Sequence, residues 1–116
     1  MTTSSCLFCR IVAKELPSDT LLETNSVLAF RDLHPQAPTH ILIIPKQHIA
    51  RIHDIKPSDA DVLTQLIVAA KQVAEQESLE ARGYRLVVNC GSDAGQAVAH
   101  LHIHLLGGRR LGWPPG

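Results

Sequence analysis

Three histidines alternate with apolar residues in the segment AHLHIHLLGG, at His100, His102 and His104. Successive side chains of a β-strand point to opposite faces. This spacing therefore predicts that the imidazoles share an exposed face while the apolar residues between them face the core. Imidazoles grouped in this way support two chemistries. They can bind a zinc ion that activates water, or one imidazole can attack phosphorus while a neighbour donates to the phosphoryl oxygens.

A glycine-containing loop just before the histidines favours the second chemistry. Gly91 and Gly95 flank the sequence SDA. Glycine allows the backbone to approach a ligand closely, and the N–H groups of such a loop can bind an anion. The pattern therefore indicates a phosphate group as the ligand.

A second candidate site is the CLFC sequence near the N-terminus. Cys6 and Cys9 have the two-residue spacing of a zinc knuckle but supply only half of its ligands. The chain has three cysteines, an odd number that argues against a disulfide framework. A redox pair is disfavoured because no βαβ unit follows. A metal site and a pair of reduced, partly buried cysteines both remain open.

Length and composition restrict the class of protein. With 116 residues, of which 45% are hydrophobic and 19% charged, the sequence predicts a single globular domain over residues 1–116. Eleven basic residues balance eleven acidic ones, so we expect no nucleic-acid partner. No apolar run approaches the roughly 20 residues of a membrane helix, and the N-terminus lacks the pattern of a secretion signal. We therefore expect no membrane partner and a cytoplasmic location.

Two helices are predicted from hydrophobic periodicity and from helix stop signals. A short helix in LFCRIVAKEL is expected to end at Pro17. A long helix is expected to begin with a capping box at Ser58 and Asp61 and to end before Gly83. Its predicted apolar stripe is Leu63, Leu66, Ile67, Ala70, Val73 and Ala74.

Five strands are predicted in the segments TLLET, SVLAFRD, THILIIPK, YRLVVNCG and HLHIHLLG. The third segment is a continuous apolar run between two prolines, so we expect it to be buried on both faces. The order of elements predicts an α+β domain with an antiparallel sheet of about five strands.

The histidine segment resembles the hallmark of the histidine triad (HIT) family, in which histidines alternate with hydrophobic residues. The match is closest to the histidine triad nucleotide-binding (Hint) branch and covers nearly the whole chain from Cys6 onward. It is carried by the segments HLHIHLL, FRDLHPQAPTHILIIPKQHI, VVNCGSDAGQ and GGRRLGWPPG. The resemblance implies a HIT-like fold with one short N-terminal helix and one long central helix, in which two copies form a homodimer with a continuous sheet.

The activity implied by this resemblance is hydrolysis of purine nucleoside phosphoramidates, which releases AMP or GMP through a covalent nucleotidyl-histidine intermediate. His102 would be the nucleophile, and His104 would contact the phosphoryl oxygens. His100 and His40 would hold the orientation and tautomer of the nucleophile. The implied nucleotide-binding residues are Asp32 for the ribose, Leu33, Phe8, Ile11 and Phe30 for the base, and Asn89, Gly95, Gln96, Ala97 and Val98 for the α-phosphate.

Some of these residues also suit an ordinary structural role. Phe8, Ile11 and Phe30 fit a plain hydrophobic core equally well, and Asp32 before Pro35 fits a turn. Both interpretations are open from the sequence.

The resemblance implies no cofactor for catalysis. Some similar bacterial-type members, however, carry the same cysteine pair and bind a structural zinc together with two histidines. The matching residues in this chain are Cys6, Cys9, His48 and His100.

Two positions depart from the pattern of the branch. Ala97 stands where many members have a hydroxyl group that can assist the leaving group, and Ala99 replaces a larger aromatic residue. Two further functions stay open. One is a dinucleoside polyphosphate hydrolase or nucleotidyl transferase of a sister branch, and the other is a nucleotide-binding regulatory protein with residual activity.

Overall fold

The computed structural model describes residues 5–116, so the first four residues of the predicted domain lie outside the described part. Five strands form one antiparallel sheet in the order β1-β2-β3-β5-β4. The strands are β1 (Thr20–Glu23), β2 (Val27–Arg31), β3 (Thr39–Pro45), β4 (Tyr84–Val87) and β5 (Ile103–Gly107), and the helices are α1 (Leu7–Val12) and α2 (Ala60–Gln76). Two short 3-10 turns, Ile52–Asp54 and Pro57–Asp59, precede α2. The predicted α+β fold is confirmed.

Each face of the sheet is covered by one helix. The long helix α2 packs on the face that presents Ala29, Ile41 and Ile43, where the larger core lies. The short helix α1 packs on the opposite face and buries Phe8 and Ile11 in a smaller core. Strand β3 contributes to both cores and is buried from residue 40 to residue 45, as its continuous apolar run predicts. Neither helix within residues 5–116 is long and apolar enough to cross a bilayer.

The predicted helix ends were wrong at three points, each for a local reason. Helix α1 ends at Val12 rather than at Pro17, because the chain turns at Lys14 with a φ of 64°. Helix α2 begins at Ala60, after a 3-10 turn in which the Asp59 carboxylate accepts a hydrogen bond from the Lys56 N–H, so Ser58 does not cap it. It ends at Gln76 because residue 78 adopts a left-handed conformation.

The predicted apolar stripe of α2 is correct for most of its length. The buried residues of this helix include Leu66, Ala70, Val73 and Ala74. Ile67 is an exception, since 54% of its surface is exposed.

The strand that carries the histidines is shorter than predicted. Strand β5 begins at Ile103, so His100 and His102 precede the sheet, and both are buried rather than exposed. The Leu101 N–H donates to the Ile49 carbonyl at 2.6 Å, which holds residues 100–102 against the loop after β3 instead of against a strand. The apolar residues between the histidines do face the core, as predicted. Strand β4 similarly ends at Val87 and does not continue to Gly91.

Candidate active site and metal site

The predicted catalytic histidines gather on the face of the sheet that α1 covers. His40 lies on β3 and His104 on β5, the strand that pairs with it. The Phe8 ring of α1 packs edge-on against His102, with ring centroids 5.1 Å apart, and against His100 at 5.8 Å. The short helix therefore packs against the histidine cluster.

A backbone carbonyl determines the tautomer of His102. The Nδ1 atom of His102 lies 2.7 Å from the carbonyl oxygen of His100. A carbonyl can only accept a hydrogen bond, so Nδ1 carries the proton and Nε2 carries the lone pair. A neutral imidazole with a free Nε2 lone pair is the form that can act as a nucleophile.

The Nε2 nitrogen of His102 has access to solvent although the residue as a whole is buried. His102 exposes 6% of its surface. Among residues 5–116, the one buried side-chain N or O atom that lacks a hydrogen-bond partner is Arg10 Nε, which lies 3.5 Å from Glu15 Oε1. Because Nε2 of His102 also makes no hydrogen bond, it must reach the surface.

His40 and His104 form a hydrogen-bonded pair whose direction is fixed by the backbone. The Gln36 N–H donates to His40 Nδ1 at 3.0 Å, so the proton of His40 is on Nε2. That Nε2 lies 2.9 Å from His104 Nδ1, which must therefore accept. The proton of His104 is left on Nε2, where it can be donated to an oxyanion.

Burial keeps this pair uncharged at neutral pH. Burial lowers the pKa of His104 to about 4, helped by the neighbouring His102 and His40 and opposed by the Asp32 carboxylate. Burial also lowers the pKa of His40, again against the effect of Asp32. His104 is thus a neutral donor rather than a cation at pH 7.

Asp32 holds a turn and also faces the histidine pair. Its Oδ1 accepts from the His34 N–H at 2.8 Å, while its Oδ2 lies 3.4 Å from His40 Nε2. The turn interpretation is therefore confirmed. The predicted binding of ribose by Asp32 would involve the same carboxylate.

The residues expected to contact the base lie in two different environments. Phe8, Ile11 and Phe30 belong to the smaller core and are nearly inaccessible. Leu33, in contrast, exposes 87% of its surface beside Asp32. An exposed leucine of this kind is available to a ligand, whereas the two phenylalanines support the site from within.

The loop between β4 and β5 is braced by Gln96, one of the predicted phosphate-binding residues. Its Oε1 accepts from the Gly91 N–H at 3.0 Å, and its Nε2 donates to the carbonyls of Ala50 and Val98 at 2.8 and 3.0 Å. The side chain is thus occupied in shaping the loop, in which Gly95 has a φ of 82°. The remaining predicted members of this loop are the half-buried Asn89 and Val98 and the exposed Ala97.

The four predicted metal ligands converge from three separate parts of the chain. The candidate donor atoms of Cys6, Cys9, His48 and His100 all lie within 4.8 Å of one another. His100 Nδ1 is 3.3 Å from Cys6 Sγ, 3.5 Å from Cys9 Sγ and 3.2 Å from His48 Nδ1. Zinc bonds of about 2.0–2.3 Å in a tetrahedron place their ligands roughly 3.3–3.8 Å apart, so these spacings fit the ion.

The protonation of His100 also fits a metal ligand. Its Nε2 lies 2.8 Å from the Pro45 carbonyl and must donate to it, which leaves the Nδ1 lone pair directed at the two sulfur atoms. Zinc-binding histidines commonly donate their second ring N–H to a carbonyl in this way. When bound, zinc would tie α1 to the segment that carries His102.

Sequence reasoning missed the backbone groups that organise this site. The Gln36 N–H and the carbonyls of Pro45 and His100 orient three imidazoles. Every residue type has such groups, so no sequence signal could have identified them.

Comparison with known proteins identifies the family of this chain. Residues 13–111 match the HIT domain. The chain belongs to the HIT family. A HIT family hydrolase from Legionella pneumophila Philadelphia 1 is 52% identical, and its structure superposes with a TM-score of 0.95, covering 97% of this chain and 100% of that one.

Two further relatives of this HIT family protein have informative names. The 14 kDa zinc-binding protein of Zea mays is 49% identical over 115 residues, which is 97% of this chain and 89% of the maize protein. A histidine triad nucleotide-binding protein from Candida albicans is 36% identical with a TM-score of 0.82, covering 95% of this chain and 83% of the other.

Proposed function

We propose that this HIT family protein hydrolyses purine nucleoside phosphoramidates through a covalent nucleotidyl intermediate on His102. One observation carries the proposal. The Nε2 lone pair of His102 and the Nε2–H of His104 belong to adjacent rings whose centroids are 5.0 Å apart. A nucleophile and an oxyanion donor held side by side are what attack at phosphorus requires. The relatives named as a hydrolase and as a nucleotide-binding protein are consistent with it.

The proposed reaction has two steps at the same phosphorus atom. His102 Nε2 attacks the α-phosphorus, the P–N bond breaks, and the amine leaves after taking a proton from water. The imidazole of the intermediate carries a positive charge, which the His100 carbonyl stabilises through its hydrogen bond to Nδ1–H. Water then attacks phosphorus, the bond to Nε2 breaks, one proton is released to solvent, and the nucleoside monophosphate leaves. His104 donates to a phosphoryl oxygen in both steps.

The remaining predicted residues would bind the nucleotide. Asp32 would accept hydrogen bonds from the ribose hydroxyls, since a carboxylate is a good partner for a cis-diol. The exposed Leu33 would cover a purine, with the core residues Phe8, Ile11 and Phe30 beneath the site. The α-phosphate would be held by the loop that includes Asn89, Gly95, Gln96, Ala97 and Val98.

The test is mass spectrometry of the intact protein, quenched rapidly without acid after mixing with adenosine phosphoramidate. We expect wild type to gain an adenylyl group and to release AMP. The His102→Asn variant keeps a polar side chain but lacks the nucleophilic Nε2, so it should bind AMP and show neither event. Absence of both the adduct and AMP release from wild type would refute the proposed activity.

A nucleotide-binding regulatory protein with residual activity is the second candidate, and Ala97 is the observation that favours it. This residue is exposed on the loop before the histidines and has no proton to donate. Tight AMP binding by wild type without turnover would support this function instead.

We also propose that Cys6, Cys9, His48 and His100 hold a structural zinc ion with no part in the chemistry. The spacing of the donor atoms and the orientation of His100 support this assignment, and the name of the maize relative is consistent with it. Zinc-bound thiolates suit a compartment that keeps thiols reduced, in line with the expected cytoplasmic location.

Finally, we propose that two copies pair through the β4 edge to give a homodimer with a continuous sheet. Strand β4 is an edge strand, so one row of its backbone groups has no partner in the sheet. Tyr84 and Leu86 alternate along it, lie on the sheet face on which α2 packs, and each expose 37% of their surface. A second copy would pair with this edge and cover these apolar side chains.

A further inference from the structure

The segment after β5 contacts the loop that orients the histidine pair. Gly108 has a φ of 89°, and a Cβ at this position would lie 2.8 Å from the Cβ of Pro38. The chain therefore passes directly against the β2–β3 loop at this glycine. The next residue, Arg109, donates from Nη2 to the Gln36 carbonyl at 2.9 Å and from Nη1 to the Arg110 carbonyl at 3.0 Å.

Gln36 makes three hydrogen bonds. Besides accepting from Arg109, it donates from its side-chain Nε2 to the His34 carbonyl at 3.0 Å. Its backbone N–H is the group that donates to His40 Nδ1 at 3.0 Å. The position of Gln36 therefore helps to keep the proton of His40 on Nε2.

The tautomer of His104 depends on this arrangement. The His40–His104 hydrogen bond can run in either direction, and in the reverse direction His104 Nδ1 would donate and its Nε2 would lose the proton. The Gln36 N–H excludes the reverse direction because it leaves no room for a proton on His40 Nδ1. Asp32 Oδ2, at 3.4 Å from His40 Nε2, favours the same direction over a longer distance.

We infer that Arg109 is a positioning residue, which holds Gln36 so that His104 presents an Nε2–H to the phosphoryl group. It acts through two hydrogen-bonded residues and does not touch the reacting atoms. The effect on turnover rests on the proposed function, whereas the effect on the tautomer does not.

Three variants separate this role from a general effect of charge. Arg109→Met retains a long side chain but no hydrogen-bond donor, and Arg109→Lys retains a charged donor group without the two separate Nη atoms of arginine. Arg110→Met is the matched control, because Arg109 and Arg110 line the same cleft of about 570 Å³ and the substitution removes the same charge from it. Both arginines are exposed, and circular dichroism will show that each variant is folded.

The primary measurement is the imidazole ¹⁵N spectrum of the full-length protein. We expect wild type and Arg110→Met to show His104 with a protonated Nε2 and an unprotonated Nδ1. In Arg109→Met the chemical shifts of the two His104 ring nitrogens should move toward each other, because two tautomers exchange. The shifts in Arg109→Lys should lie between those of wild type and those of Arg109→Met. An unchanged His104 spectrum in Arg109→Met would overturn the inference, as would an equal change in Arg110→Met.

Turnover of adenosine phosphoramidate is the second measurement. We expect Arg109→Met to lower kcat by roughly 10-fold, less than the 10²–10³-fold cost of losing an oxyanion donor altogether because only part of the population changes tautomer, with KM little changed. If Arg109→Met shifted the His104 tautomer and still kept the wild-type kcat, the inferred contact between the His104 Nε2–H and the phosphoryl group would be overturned. If wild type itself released no AMP, the proposed function would fail, while the ¹⁵N spectra would still decide whether Arg109 positions the histidine pair.

Discussion

At the scale of single residues, the chemistry of the site depends on which ring nitrogen of each histidine carries the proton. Three backbone groups determine this for His40, His100 and His102, and His104 follows from its bond to His40. A buried imidazole that has its partners in the neutral form resists protonation. Two predictions belong to this scale.

The first prediction concerns acid stability. The pKa of His104 is about 4 in the folded protein against 6.5 for an ordinary histidine, so between these values the unfolded chain binds more protons. Stability therefore falls as the pH drops from about 6.5 toward 4. We expect wild type to lose about 1–2 kcal/mol of its unfolding free energy between pH 7 and pH 5 through this residue, measured by urea denaturation.

The His104→Asn variant supplies the control for that measurement. Asparagine does not titrate, and its side-chain oxygen can still accept from His40 Nε2–H. The Cys/His cluster is the same in both proteins, so its own titration cancels in the difference. Identical pH dependence of the two unfolding free energies would contradict the prediction.

The second prediction concerns Ala97. A hydroxyl at this exposed position could protonate the departing amine, and general acid catalysis of this kind is worth roughly 10²–10⁴-fold when it is essential. We expect Ala97→Ser to raise kcat toward phosphoramidates by at least about 10-fold. Ala99→Ser introduces the same hydroxyl at another exposed loop position as a control. Equal turnover of Ala97→Ser and wild type would show that the amine takes its proton elsewhere.

At the scale of elements, the short helix α1 depends on tertiary interactions for its stability. It has only six residues, Leu7–Val12, which is too short to be stable as an isolated helix. Phe8 and Ile11 attach it to the sheet, and the cysteines at its start lie against His48 and His100. A metal at this cluster would hold the helix over the histidines.

The third prediction tests this anchoring. We expect about one zinc per chain in protein never exposed to chelator, and under about 0.2 in Cys9→Ser, which loses one of the four ligands. Because binding to the folded state stabilises it, the thermal midpoint of Cys9→Ser should fall by about 5–10 °C. Cys90→Ser makes the same substitution outside the cluster and should retain both values. Wild type with less than about 0.2 zinc per chain would reject the site.

At the scale of the whole molecule, strand β4 forms one edge of the sheet. Helix α2 packs on the centre of one face, and the apolar side chains of Tyr84 and Leu86 on the edge strand β4 stay exposed. An uncovered sheet edge beside apolar side chains is typical of a surface that pairs with another chain.

The fourth prediction is that wild type is a dimer and that Leu86→Arg is a monomer, because the new charge would be buried at the β4 edge without a partner. Size-exclusion chromatography with light scattering gives the masses. Ile52→Arg is the matched control, since Ile52 exposes 39% of its surface against 37% for Leu86 but belongs to a 3-10 turn and not to the edge strand β4. A monomeric wild type, or the same mass for both variants, would contradict the proposed interface.

The sequence by itself determined the order of the elements, the antiparallel sheet and the inward direction of the apolar residues between the histidines. These features follow from local periodicity and turn chemistry, which depend on residues that are close together in the sequence. It also contained the histidine alternation and the cysteine pair, and hence the chemistry to look for. The ends of α2 and β5 were less predictable, because a 3-10 turn and a contact with Ile49 decided them.

Only the tertiary structure decided how these residues work together. Cys6 meets His100 across 94 positions of sequence, and whether such distant donors converge depends on how the helices pack on the sheet. The burial of His100 and His102 and the proton positions of the imidazoles depend on backbone groups of Gln36, Pro45 and His100. Backbone groups are the same in every residue, so their effect exists only once the chain is folded.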